Sequence, residues 1–97
     1  MSEPDDNGIL RKNLTIINKR GLHARASAKF VQLVSGYDAS VEVEKDGVKV
    51  GGTSIMGLMM LAASPGCAIA VTATGPDAET VLGELESLIA NRFGEEC

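Results

Sequence analysis

Ser40–Val50 reads SVEVEKDGVKV, and its alternation decides what kind of fold the chain can adopt. Val41 and Val43 fall on one face, with Ser40, Glu42 and Glu44 on the other, the period of a strand with one buried side. Asp46-Gly47 follows, a pair suited to a tight two-residue turn, and Val48 and Val50 resume the alternation as a short partner strand. Gly51-Gly52 breaks it. An antiparallel hairpin therefore sits in the middle of the chain.

Working toward the N-terminus, Leu10, Leu14 and Ile16 share one face of a strand, with Arg11, Asn13 and Thr15 on the other. Lys12 is the exception on the apolar face, placed at the frayed start of the strand. Asn18–Gly21 reads as a turn. Ser27, Phe30, Val31 and Val34 recur at helical spacing up to a stop at Gly36. Beyond the hairpin, Thr53 or Ser54 can cap a short apolar helix from Ile55 to about Ala63, because a hydroxyl there accepts an orphaned first-turn amide. In that helix the spacing assigns Ile55, Leu58 and Leu61 to the core.

Ser64-Pro65-Gly66 is a turn, and Ala68–Thr74 a strand with Ile69, Val71 and Ala73 on one side. Ala78, Val81, Leu82, Leu85, Leu88 and Ile89 form the stripe of a final amphipathic helix opposite Glu79, Glu84 and Glu86. Asp77 and Glu79 suit the positive end of its dipole, Arg92 the negative end, and Gly94 can terminate it.

The resulting order is βαββαβα. Strands with one apolar face predict an α+β open-faced sandwich: a four-stranded, mainly antiparallel sheet with three helices on one side. The β-α-β crossovers should be right-handed wherever they link parallel strands. Residues 10–94 make one domain, preceded by a disordered acidic extension over residues 1–9 and followed by a tail at 95–97.

The 97 residues carry a net charge of -4, and aromatics make up only 3%. The core must therefore be aliphatic, and nucleic acid is a poor partner without clustered cations or stacking rings. The run Ile55–Ala63 is too short to span a bilayer. The N-terminal MSEPDDNG is acidic where a secretory signal needs a basic flank and an apolar stretch, so the expected setting is the cytosol, with Cys67 and Cys97 reduced. His23, Cys67 and Cys97 show none of the pair spacings of zinc sites, and no cofactor is expected.

His23 is the only histidine. It stands in Lys19–Phe30, KRGLHARASAKF, at or next to the N-cap of the first helix. First-turn amides and the helix dipole favour an anion there and disfavour a proton on the imidazole. Arg25 can reach the same anion with charge-assisted hydrogen bonds. This chemistry suits a neutral ring nitrogen that attacks a phosphoryl group and holds it briefly. The same position is also compatible with a capping or surface histidine. No second histidine exists to complete a catalytic triad.

RGLHARASAKFV together with GGTSIMGLMML resembles HPr, the small histidine-containing phosphocarrier family of the bacterial phosphoenolpyruvate-dependent phosphotransferase system. The similarity runs from about Asn13 to Phe93, and the family's fold has the same element order. The resemblance implies that His23 accepts a phosphoryl group on its δ nitrogen from the autokinase Enzyme I and passes it to an enzyme II A-type component, with Arg25 beside it. It implies a carrier of phosphate without turnover of its own. The family usually has proline where this chain has Ala26, so a first-turn amide is restored and the turn loosened. The alternative is a protein-docking module of a nitrogen-type regulatory branch, signalling through its phosphorylation state without sugar transport.

Ser54 matches the serine that a dedicated HPr serine kinase/phosphorylase modifies in many relatives, and it also reads simply as an N-cap. Met56, Met59 and Met60 cannot all be buried in so short a helix. Their soft side chains suit a surface that docks several proteins, and the resemblance places the partner surface here. Nothing in the pattern calls for more than a monomer. Lys29 can lie near the histidine end and assist a phosphate, or simply be exposed.

Overall fold

A computed structural model describes residues 8–95; the expected acidic extension, apart from its last two residues, and Glu96 and Cys97 lie outside the described residues. The elements are strand β1 (Leu10–Thr15), helix α1 (Ala24–Ser35), strands β2 (Ser40–Lys45) and β3 (Val48–Gly51), helix α2 (Ile55–Met60), strand β4 (Ala68–Thr74) and helix α3 (Ala78–Ala90), with a final 3-10 turn over Arg92–Gly94. The sheet order is β1-β4-β2-β3. All three pairings are antiparallel, so no crossover joins neighbouring parallel strands.

The hairpin forms where Asp46-Gly47 places it, and both residues take positive φ, 52° and 83°. One sheet face carries Leu14, Val41, Val43, Ile69, Val71 and Ala73, all buried, and the three helices cover it. Phe30 and Val34 from α1, Leu58 from α2, and Val81, Leu82, Leu85 and Ile89 from α3 complete a single core. The opposite face is the open one, bearing Arg11, Asn13, Thr15, Ser40 and Glu42, which are exposed. Lys12 stays on the helix-covered face because its ammonium reaches Glu86 Oε1 of α3 at 2.9 Å, which keeps the charge paired at the rim of the core.

Three details depart from the sequence reading. Helix α2 ends at Met60, because Ala62 adopts φ 53° and turns the chain away. Ile55 is 39% exposed; a helix of fewer than two turns can bury only the line carrying Leu58, and Leu61 joins the core from the cap. Helix α3 stops at Ala90 rather than running to Gly94, since Arg92 and Phe93 both take φ 55°. The Phe93 ring is 1% exposed, and its burial offsets the left-handed backbone that places it there.

Candidate functional site

The site is built on the start of α1. Gly21 has φ 65°, and a Cβ on it would lie 2.3 Å from the carbonyl oxygen of Ala63, so the loop needs glycine to close against the segment after α2. Next door, the Leu22 amide donates to that same carbonyl at 2.9 Å, and the Leu22 side chain enters the core. The buried Ser27 hydroxyl donates to the Leu22 carbonyl at 3.2 Å, fixing the first turn from the inside.

These contacts present His23 as the N-cap, with φ -75° and ψ -178°. Its ring is not spent on capping: no side-chain cap bond forms. Ser27 is the first helical donor, to the His23 carbonyl at 2.9 Å, which leaves the amides of Ala24, Arg25 and Ala26 without a helical acceptor. Arg25 is exposed, and among the described residues no hydrogen bond or ion pair engages its guanidinium. Lys19 and Arg20 are exposed just before the loop. A chain of net charge -4 therefore gathers three cationic side chains around one helix start.

Sequence reasoning missed the acidic side of the site. Glu95, the first residue of the expected tail, sets its Oε2 2.6 Å from His23 Nε2. Asn18, completely buried, donates from Nδ2 to the same oxygen at 3.0 Å and to the Gly21 carbonyl at 2.8 Å. The hydrogen bond from His23 holds the Glu95 carboxyl below its ordinary range, against the opposing effect of burial and with further help from Asn18 and Arg20. A carboxylate can only accept, so Nε2 carries the proton and Nδ1 of a neutral ring keeps its lone pair. Lys29 serves this arrangement rather than an open anion site: its ammonium donates to the Phe93 carbonyl at 2.6 Å and ties the returning chain to α1. No periodicity signals Glu95, which is visible only once the chain turns back at Arg92–Gly94.

Ser54 caps α2, its Oγ accepting from the Gly57 amide at 3.0 Å. Met56, Met59 and Met60 are exposed, together with Ile17 and Ile55. Helix α2 packs on α1, and the Leu22–Ala63 bond joins its trailing end to the histidine loop. Among the described residues no group of three or more His, Cys, Asp or Glu gathers to hold a metal, and no helix is long and apolar enough to cross a membrane.

The family model for the PTS HPr component phosphorylation site matches residues 10–91. The phosphocarrier protein HPr of Cupriavidus necator is 48% identical over 87 residues, covering 90% of this chain and 98% of the relative. The phosphocarrier protein NPr of Shewanella violacea is 36% identical, covering 89% and 94% respectively. Among solved structures, HPr-C-His from Thermoanaerobacter tengcongensis superposes with a TM-score of 0.85 at 44% identity, covering 90% of this chain and 98% of that one. With its four-stranded antiparallel sheet, its three helices on one face and this extent of match, the chain belongs to the HPr family of phosphocarrier proteins of the phosphotransferase system.

Proposed function

We propose that His23 accepts a phosphoryl group on Nδ1 from Enzyme I and passes it to an enzyme II A-type component. The observation that carries this reading is the division of labour on the ring: Nε2 is engaged by Glu95, while the other nitrogen is left as the nucleophile. The unpaired amides of Ala24 to Ala26 supply donors for phosphate oxygens, and Arg25 is uncommitted and on the same helical turn. Such a phosphoramidate is held long enough to move between proteins and remains reactive enough to be handed on.

In this reading Met56, Met59 and Met60, exposed on the helix adjoining the histidine loop, form the adaptable part of the docking surface. A phosphate on Ser54 would add charge beside that surface, so an HPr serine kinase would act by weakening or redirecting docking rather than by unfolding α2.

Incubation with phosphoenolpyruvate and Enzyme I, followed by phosphorus NMR and intact mass, tests the carrier. One acid-labile phosphate is expected on the wild type and none on His23→Ala. An unlabelled wild type beside a labelled generic HPr would overturn the reading. Offering the charged protein to sugar-type and nitrogen-type A components then identifies the acceptor branch by which one discharges it.

A further inference from the structure

Three of the four methionines of the chain, Met56, Met59 and Met60, stand within the six residues of α2. Spacings of three and four put them on one side of the helix. Their exposures are 70%, 40% and 74%, whereas Leu58 is completely buried and Leu61 joins the core from the cap. Helix α2 is therefore held by its leucines and by the Ser54 cap on the Gly57 amide, while the thioether side chains face solvent. Aliphatic residues would offer similar apolar area without sulfur. A thioether differs from them in one reaction: it takes an oxygen atom from a two-electron oxidant and becomes a polar sulfoxide.

Resting on the docking role of α2 given above, we propose that Met56 and Met60 form a reversible oxidation site: a peroxide converts them to methionine sulfoxides, and docking is weakened. A sulfur lone pair attacks one peroxide oxygen, so that an S–O bond forms as the O–O bond breaks. The departing oxygen leaves with the bonding pair as hydroxide and takes the proton from the new sulfur-bound hydroxyl, which releases one water. Sulfur loses two electrons and the peroxide gains them. In the reverse direction a dithiol, acting through a methionine sulfoxide reductase, removes the oxygen as water and ends as a disulfide. The sulfoxide replaces a soft apolar contact by a strong hydrogen-bond acceptor that a dry interface must desolvate. Neither side chain belongs to the core, so the change alters the partner surface and leaves the sheet and helices as they are.

The test treats the protein with hydrogen peroxide and then with dithiothreitol, which reverses sulfenic acids and disulfides at the cysteines and leaves sulfoxides in place. Peptide mass mapping is expected to find one added oxygen on each of Met56 and Met60. Untreated and oxidised protein are then compared as substrates of Enzyme I with phosphoenolpyruvate. Oxidation should raise KM about tenfold, the scale of losing one well-packed interface side chain, with kcat and the urea midpoint retained. Methionine sulfoxide reductase should restore the starting KM. In a Met56→Leu, Met60→Leu double variant, compared with its own untreated form, peroxide should leave KM where it was. Treated wild type without sulfoxide at either position overturns the proposal. So does a KM shift that persists in the double variant, which would place the sensitive group elsewhere, or one that comes with a lowered urea midpoint, which would make it unfolding. If sulfoxides form and KM holds, Met56→Lys and Met60→Lys decide how much falls. A raised KM in those variants overturns the oxidation control alone, whereas an unchanged one overturns the docking surface as well. Untreated protein that takes no phosphate overturns the carrier reading and this proposal with it.

Discussion

The Leu22 amide and the Ala63 carbonyl, 2.9 Å apart, tie the histidine loop to the chain leaving α2, two residues beyond the second of the two distinctive motifs of the sequence. Gly21 makes the bond possible, since its φ of 65° and missing side chain let the loop approach the same carbonyl. Gly21→Ala is therefore expected to destabilise the protein by about 2 kcal/mol, combining left-handed strain with a backbone clash. Urea denaturation measures this, and phosphorylation by Enzyme I should slow in parallel as His23 shifts. Wild-type stability in the variant would show that the loop does not close as described.

Ser54 offers a second test, because its capping bond to the Gly57 amide is separable from any modification. Ser54→Ala should cost about 1 kcal/mol, the usual value of a lost N-cap. Ser54→Asp keeps an acceptor for the same amide and should recover most of that stability. If the docking proposal holds, the aspartate variant is nevertheless a poorer substrate of Enzyme I.

The methionines should behave in the opposite way. Met56 and Met60 are 70% and 74% exposed, so Met56→Lys and Met60→Lys should leave stability within about 0.5 kcal/mol of wild type. Either change places a charge in the proposed contact and should raise the KM of Enzyme I for this substrate by about tenfold, with kcat retained. Unaltered transfer by both variants would remove α2 from the partner surface.

Acid unfolding reads the Glu95 contact independently of phosphate. The folded-state carboxyl is held below its ordinary value of 4.5, chiefly by the hydrogen bond from His23. A depressed carboxyl contributes stability that is fully present above the unfolded value and is lost as pH falls through the folded one. Wild type should accordingly be more stable than Glu95→Gln above pH 4.5, with the gap closing below it. A gap that stays constant through this range would mean that the ionised carboxylate is not its source.

Alternation at Val41 and Val43, the Asp-Gly turn and the stripe of α3 made the elements legible, because each reports a local period or a local backbone angle. His23 and Arg25 were legible for a related reason: a helix start follows from nearby residues, and its amides and dipole come with it. Ile55 was misread as core because spacing marks which residues share a line, whereas the packing of a six-residue helix decides how many lines are covered.

What the sequence determined by itself, then, was the order of elements, the family resemblance and the position of the histidine at a helix N-terminus. What only the tertiary structure decided was the sheet order β1-β4-β2-β3 and the company the histidine keeps. Asn18, Lys29, Phe93 and Glu95 are spread across 77 residues of chain and converge only after Phe93 finds the core and the backbone reverses. The physical reason is that hydrophobic periodicity records burial, while the partner of a polar atom is chosen by whichever segment packing brings within hydrogen-bond reach.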